Sequence, residues 1–154
     1  MYLCFVNLEQ ALQTNKFENE RHKVGLNILY TAWWLKTCIN SELKEFGLTH
    51  EQYNVLRILN GKHPQKMCVK DIAGRMIEKS SNVPRIVHRL ELKKLIDRNQ
   101  SDVDGRQTMI ALTEDGLSIL KETTKKVSSL QLSLFNLTEA EAATLNGLLE
   151  KMRT

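Results

Sequence analysis

The sequence predicts a mainly α-helical fold with one small β-hairpin, and two features indicate it. Residues 83–90 repeat apolar side chains at helical spacing, and residues 95–112 contain two short strand-like runs with a polar segment between them. Longer helical patterns flank this region on both sides. A chain of 154 residues is also long enough to bury a core without disulfides or metal ions.

A short basic helix is predicted just after Ser81. Its Ser- and Asn-rich start can cap the first turn, and Pro84 is tolerated only within that turn, so the cap is expected near Ser81. The stripe expected to face the core consists of Val83, Ile86, Val87, Leu90 and Lys94. The outward face consists of Asn82, Arg85, His88 and Arg89. Such an outward face suits DNA, although a solvated charged surface has the same composition.

A β-hairpin is predicted after this helix. Residues 95–98 and 107–112 have strand-like composition, and residues 99–106 form a polar loop that contains Gly105. This places Arg106 where its guanidinium can enter a minor groove while the basic helix lies in the adjacent major groove. An ordinary surface hairpin is the alternative.

Further helices are predicted on both sides. Upstream, apolar residues at helical spacing cover residues 19–46, and Thr49 with Gln52 forms a capping box for a second helix that runs to about Asn60. Downstream, Thr113 is expected to cap a long helix. A second capping box opens a final helix at Thr138.

Apolar side chains near both chain ends exceed what one small domain can bury. They lie in the first 20 residues, in the 19–46 pattern and in the final helix, which presents Leu145, Leu148, Leu149 and Met152 on one face. We therefore expect residues 1–47 and 113–154 to form a homodimer surface, with a winged DNA-binding region at 48–112, all within a single domain.

Positive charge is concentrated in the winged region. Residues 61–112 hold 11 of the 22 Lys and Arg but only 6 of the 18 Asp and Glu. Double-stranded DNA would be attracted there by phosphate neutralisation. The apolar runs are too short to span a membrane and the N-terminus lacks the features of a secretory signal, so a cytoplasmic protein is expected.

The sequence carries no catalytic or metal-binding pattern. Cys4, Cys38 and Cys68 lack the spacing of a zinc site or a disulfide framework, the four histidines are scattered, and there is no phosphate-binding loop. The sequence thus predicts neither enzymatic activity nor a cofactor. Cys4 is kept as a candidate redox thiol.

Several motifs in the right order resemble those of the MarR family of transcription regulators. They are Leu48-Thr49-x-x-Gln52-Tyr53, Val69-x-x-Ile72-Ala73, the basic helix, Asp104-x-Arg106, and Leu112-Thr113-x-x-Gly116. The resemblance implies a dimeric winged helix-turn-helix protein that binds DNA, with helices from both chain ends at the dimer interface. It also implies that a small, often aromatic, ligand releases the DNA.

The residues and the resemblance together suggest which side chains bind DNA. Arg85 is expected to contact bases, with Ser81, Asn82 and His88 nearby. Arg89 is expected either to contact a phosphate or to pair with Asp104. Three departures from the family pattern leave the operator sequence open. They are Pro84 in place of Thr, Gly105 in the wing motif, and Lys70 where a Ser or Thr would cap the helix before the basic one.

The expected function is repression through a pseudo-palindromic operator. A winged-helix module that binds another protein is the alternative, because the fold alone does not decide function. Such a module would more often present an apolar patch where this chain has its basic helix.

The resemblance also implies an effector pocket where the dimer helices meet the winged region. Tyr30, Trp33, Trp34 and Tyr53 lie on the two helices that would line it, and their side chains suit an aromatic or phenolic ligand. Adjacent residues differ by about 100° around a helix, so at most one tryptophan faces the pocket. Burial of all four side chains in the core is the alternative.

Overall fold

The computed structural model describes residues 6–79, 81–100 and 107–154, which form seven helices and three short strands. In chain order the elements are α1 (Leu8–Leu12), α2 (Glu20–Lys44), α3 (His50–Asn60), β1 (Met67–Cys68), α4 (Val69–Arg75), α5 (Val83–Leu92), β2 (Ile96–Gln100), β3 (Thr108–Leu112), α6 (Glu114–Leu134) and α7 (Glu139–Lys151).

The strands form one antiparallel sheet in the order β1-β3-β2. Strands β2 and β3 make the predicted hairpin, with Ile96 opposite Leu112 and Gln100 opposite Thr108. Strand β1 pairs Met67 with Ile110 at the other side of β3. The sequence did not predict β1, because two residues are too short to show the alternation of a strand.

The core is centred on the winged region and is closed by α2 and α6. Helices α3 and α5 pack against each other within it, and both α2 and α6 contribute buried side chains. Fully or almost fully buried members of this core are Leu43, Val55, Leu56, Leu59, Ile72, Val83, Val87, Leu90, Ile96, Ile110 and Leu120.

The capping side chains predicted from the sequence are confirmed. Thr49 accepts a hydrogen bond from the Gln52 N–H, while Gln52 Oε1 accepts one from the Thr49 N–H, which completes the capping box of α3. Thr138 and Glu141 form the equivalent box at α7, and Thr113 caps α6. These contacts fix where three of the helices begin, because they satisfy amides that lack partners within the helix.

Three local predictions around α4 and α5 need correction. The N-cap of α5 is Asn82 and not Ser81. The N-cap of α4 is Cys68, and Lys70 lies inside the helix. Lys94 is not part of the buried stripe of α5, since it lies beyond the helix end, is exposed, and adopts a positive φ of 59°.

The start of α6 is locked against the end of the α5–β2 turn. The Thr113 N–H donates to the Leu95 carbonyl at 3.2 Å, and its hydroxyl donates to the Lys94 carbonyl at 2.8 Å. A Cβ added to Gly116 would lie 2.0 Å from the Leu95 oxygen. Only glycine therefore permits this close approach between the first turn of α6 and the wing.

The terminal helices leave much of their apolar surface exposed in the single chain. Helix α7 buries no side chain, and α1 buries only Leu8. Leu3, one of the apolar residues in the first 20 positions, lies outside the described residues. Large apolar side chains exposed on α1, α2, α6, α7 and the segments beside them are Val6, Leu12, Val24, Leu29, Trp33, Leu132, Phe135, Leu137, Leu145, Leu148 and Met152.

None of the helices in residues 6–79, 81–100 and 107–154 has the length and apolar character needed to cross a membrane.

Candidate nucleic-acid interface

Helix α5 has a buried face and a polar exposed face, as the sequence predicts. Val83, Val87 and Leu90 are at most 2% exposed, and they hold the helix against α3. The helical period then turns positions 82, 85, 88 and 89 outward. The four side chains at these positions, Asn82, Arg85, His88 and Arg89, are all exposed.

The structure brings five of the six predicted DNA-binding residues together at one surface. Ser81 lies at the start of α5 and is half-buried, and its Oγ has no hydrogen-bond partner among the described residues. Arg106, and with it the suggested pairing of Arg89 with Asp104, lies outside the described residues.

The side chain of Asn82 is already engaged as the helix cap. Its Oδ1 accepts a hydrogen bond from the Arg85 N–H at 3.2 Å. Its amide NH₂ points to no partner in the cap and can donate to an acceptor on a base or phosphate. The sequence places Asn82 on the outward face but does not reveal that it is the cap.

A carboxylate on α5 ties the helix to the wing. Glu91 Oε2 lies 3.2 Å from Arg98 Nη1 on β2 and 3.7 Å from His88 Nδ1. The His88 contact is an ion pair only when the imidazole is protonated. Glu91 thus couples the position of β2 to that of α5.

The C-terminal end of α5 is anchored to the start of α3. The Lys93 ammonium donates to the Gly47 carbonyl and, at 3.1 Å, to Gln52 Oε1. Gln52 is 3% exposed and uses the same oxygen in the capping box with Thr49. One buried amide therefore serves both the start of α3 and the end of α5.

A second anchor joins α2 to the segment before α5. The Lys36 ammonium lies 3.0 Å from Glu51 on α3 and 2.6 Å from Glu78 in the α4–α5 turn. Hydrogen bonds to Glu78 and Glu51 raise the pKa of Lys36. Sequence periodicity did not reveal this contact, because the three residues lie on separate segments.

Lys36 also determines the electrostatics of its neighbours. Burial on its own raises the pKa of Glu51, but hydrogen bonds from Lys36, the backbone and Thr49 outweigh it and lower the pKa to about 2. Burial and the Lys36 charge lower the pKa of His50. Potential metal-ligand atoms of His50, Glu51 and Glu78 lie within 4.8 Å of one another, but both carboxylates already pair with the Lys36 ammonium.

A cleft opens between the start of α3 and the exposed face of α5. It has a volume of about 310 Å³, and its lining residues include Glu51, Gln52, Glu78, Ser81, Arg85 and Arg89. The two arginines and the two glutamates give it mixed charge. The cleft therefore adjoins both the candidate DNA-binding face and the Lys36 anchor.

The four aromatic residues of the predicted effector pocket have different environments. Tyr53 is 4% exposed, and its hydroxyl donates to Thr124 Oγ1 on α6 at 3.3 Å, so it belongs to the core of the single chain. The rings of Tyr30 and Trp33 are tilted by 43° to each other with centroids 5.5 Å apart, and Trp33 is 53% exposed. Trp34 is half-buried.

Neither described cysteine is in a disulfide. Cys38 and Cys68 are free and half-buried. Burial raises the pKa of the Cys38 thiol, which keeps it protonated and unreactive at neutral pH. Cys4 lies outside the described residues, and its redox role stays a prediction.

A family model described as transcriptional regulator SarA/Rot matches residues 37–123, more than half of the chain. The chain belongs to the SarA/Rot family of transcriptional regulators. The matched part of this chain contains α3, α4, α5 and strands β2 and β3. Membership confirms the sequence-based interpretation as a regulator and not an enzyme.

The chain is also similar to a curated transcription regulator. The transcriptional repressor IacR of Pseudomonas putida is 34% identical over 109 residues, which cover 70% of this chain and 64% of that protein. The match thus spans just under two thirds of that relative's length.

Solved structures share the fold. The complex of Staphylococcus aureus MepR with DNA is 25% identical, covers 83% of this chain and 92% of its own, and superimposes with a TM-score of 0.72. A MarR mutant from E. coli in complex with operator DNA is 24% identical, with 90% and 99% of the two chains covered and a TM-score of 0.78. The resemblance to the MarR family and the winged-helix fold are confirmed.

The ion pairs of Lys36 with Glu51 and Glu78 predict that the stability of the fold depends on pH. The folded-state pKa of Glu51, about 2, lies below its ordinary value of 4.5, so its stabilising contribution is present above pH 4.5 and is lost as the pH falls towards 2. We expect Glu51→Gln to lower the free energy of unfolding at pH 7 by roughly 1–2 kcal/mol, less than the full pKa shift implies because the pair is partly solvated.

Urea denaturation at a series of pH values measures this effect. The wild-type stability should fall more steeply below pH 4.5 than that of Glu51→Gln. Glu150→Gln, which removes an exposed carboxylate on α7, should retain the wild-type profile. Parallel profiles for wild type and Glu51→Gln would contradict the assignment.

Proposed function

We propose that this chain is a homodimeric, sequence-specific DNA-binding repressor of a pseudo-palindromic operator. The observation that carries the proposal is the outward face of α5, with Arg85 and Arg89 exposed on a helix whose position is fixed at both ends. Rigid presentation matters, because a base contact needs a guanidinium held at one place relative to the groove. Arginine fits the acceptor pair of guanine in the major groove.

The relatives support DNA as the partner. MepR and MarR were each solved with DNA, and IacR is named a repressor. The exposed face of α5 is polar and basic, which disfavours the alternative of a protein-binding module in which an apolar patch would be presented there.

Homodimer formation is supported by the terminal helices. Helix α7 buries none of its apolar side chains in the single chain, although it presents Leu145, Leu148 and Met152, each at least 45% exposed. A second copy of the same surface would cover them, as in an isologous interface. Two α5 helices would then enter successive major grooves, about 10 base pairs apart.

We further propose that a small aromatic or phenolic ligand releases the DNA. The support is the aromatic pair on α2 formed by the half-buried Tyr30 and the exposed Trp33. Lys36 of the same helix holds the turn before α5. Trp33 and Lys36 are three residues apart and therefore neighbours on α2. A ligand that binds one arrangement of the recognition helices better than another shifts the equilibrium between them.

Substitution of Arg85 tests the DNA contact. Arg85→Ala should weaken operator binding by about 1–3 kcal/mol and relax the sequence preference, because a bidentate base contact is lost. Arg85→Lys should keep the charge but not the bidentate geometry, so it should retain salt-dependent affinity with reduced specificity. Titration of wild type and variants with operator and scrambled duplexes at fixed salt measures both effects.

The wing provides a comparison in the same titration. Arg106→Ala should give a smaller loss that is similar for both duplexes, as expected for a contact that reads little sequence. Wild-type affinity and specificity in Arg85→Ala would refute the base contact.

Sedimentation velocity tests the dimer. The wild-type chain should sediment as a dimer at micromolar concentration, and Leu145→Glu/Leu148→Glu should sediment as a monomer because it buries two charges at the proposed interface. Leu92→Glu is the matched control, since Leu92 is 70% exposed at the end of α5. A monomeric wild type would rule the interface out.

Tryptophan fluorescence tests the effector. Phenols and aromatic carboxylates that quench the fluorescence of Trp34→Phe, which retains Trp33, should also lower operator affinity in the wild type. Trp33→Phe should lose the quenching. Compounds that quench without any change in DNA affinity would show that the site is not regulatory, and the protein would then be a constitutive DNA binder.

A further inference from the structure

Three side chains with metal-binding atoms meet beside the start of α3. His50 and Glu51 are the first two residues of that helix, and Glu78 belongs to the turn between α4 and α5. Their candidate ligand atoms, an imidazole nitrogen and two carboxylate oxygens, lie within 4.8 Å of one another. We call these three residues the α3 cluster. The sequence shows no spacing signature for it, because Glu78 comes from a different segment.

The α3 cluster already holds a cation. The Lys36 ammonium lies 3.0 Å from Glu51 Oε1 and 2.6 Å from Glu78 Oε1, between the two carboxylates that would bind a metal ion. Among the described residues no other cation pairs with either carboxylate. One ammonium that faces two carboxylates leaves one negative charge without a close partner, whereas a divalent ion would compensate both.

Two further groups at this place have lone pairs that are not in use. The imidazole of His50 takes part in no hydrogen bond or ion pair within the part of the chain that the structure describes, whereas its backbone N–H donates to Asn40 Oδ1 at 3.0 Å. The Oγ of Ser81 is inaccessible to solvent and has no described partner, and Ser81 lines one narrow cavity together with His50, Glu51 and Glu78. A buried hydroxyl without a partner is unfavourable, and a metal ion in the cavity would give it one.

We propose that the α3 cluster binds a zinc ion in exchange for the Lys36 ammonium, with His50, Glu51 and Glu78 as the three protein ligands. The fourth position of the tetrahedron is then left for the Ser81 hydroxyl or a water molecule. Three nitrogen and oxygen ligands from the protein plus one open position are a common zinc arrangement. Lys36 is able to leave, because its side chain is 37% exposed and has a flexible four-carbon stem.

Distances and donor atoms both favour zinc over other common divalent ions. Zinc lies about 2.0–2.2 Å from nitrogen and oxygen ligands, so carboxylate oxygens that now lie 2.6 and 3.0 Å from the Lys36 ammonium need to approach by about 1 Å or less. Magnesium and calcium prefer sites of six or more oxygen ligands. An imidazole in the ligand set therefore selects against them, and it suits zinc.

The exchange changes the contacts of the turn before α5. With the ammonium in place, Lys36 links α2 to both α3 and that turn. With zinc in place, the three protein ligands lie on α3 and the turn, and α2 is released. Zinc thus keeps the start of α5 fixed to α3 while it uncouples α5 from movements of α2. The zinc site does not rest on the proposed DNA-binding function, and its tests contain no DNA.

Titration of the tag-free chain with zinc, in competition with a chromophoric chelator, tests the site. We expect one zinc ion per chain. His50→Gln and Glu78→Gln should each weaken binding by at least the about 10- to 100-fold that loss of an outer-shell partner costs. His63→Gln is the matched control, since His63 is exposed and lies outside the cluster, and it should keep the wild-type affinity. Equal zinc affinities of wild type and Glu78→Gln would overturn the inference.

Removal of the competing cation tests the exchange. Lys36→Met keeps an apolar stem without the charge, so it should bind zinc roughly 5- to 30-fold more tightly than wild type, because two ion pairs no longer have to be broken. Lys126→Met is the matched control, since Lys126 also bridges two glutamates, Glu42 and Glu45. It should keep the wild-type affinity. Unchanged or weaker zinc binding by Lys36→Met would show that the ammonium and the metal do not share a site.

Cobalt(II) in place of zinc reports which atoms bind the metal. It should give the visible absorption of a four-coordinate site with nitrogen and oxygen ligands. A thiolate charge-transfer band would instead place the metal on a cysteine and overturn the assignment. Excess magnesium should leave the spectrum unchanged, and displacement by magnesium would indicate an oxygen-only site without His50.

Thermal melting in the presence of a chelator checks that each variant is folded before titration. We expect Glu78→Gln to fold, because the Glu78 side chain is 44% exposed and lies in a turn. That variant therefore decides the question even if His50→Gln is unstable. Zinc should raise the melting temperature of wild type and of Lys36→Met but not that of Glu78→Gln.

Discussion

The burial of one face of α5 against α3 is the interaction on which the candidate site depends. Val83, Val87 and Leu90 are almost fully inaccessible to solvent, and a buried aliphatic side chain contributes about 1.5–3 kcal/mol. Because the helical period is fixed, burying these three side chains determines which side chains face outward. The direction of Arg85 is thus a consequence of hydrophobic packing on the opposite side of the helix.

Local signals in the sequence were sufficient for most of the fold. Capping boxes at Thr49 and Thr138, the cap at Thr113 and the strand-like composition of β2 and β3 all depend on residues within a few positions of one another. The error at Ser81 has the same local origin. Serine and asparagine are both good caps, and their order alone did not decide between them.

The contacts that position the site could not be predicted from periodicity. Lys93 reaches Gln52 across 41 positions of the chain, and Lys36 reaches Glu78 across 42. No spacing rule links such pairs, because only the tertiary fold brings their segments together. Tyr53 shows the same limit, since its place in the core follows from α6 packing over α3 and not from its own neighbours.

The close approach at Gly116 gives α6 a mechanical role. Its first turn cannot move relative to the wing without breaking the Thr113 hydrogen bonds or separating the glycine from the Leu95 carbonyl. Helix α6 and the wing are therefore expected to rotate together as one rigid unit. With 21 residues it is about 30 Å long, so a tilt of about 10° moves its far end by about 5 Å, and the wing turns through the same angle. Small rotations of the wing thus correspond to large, measurable displacements near Leu134.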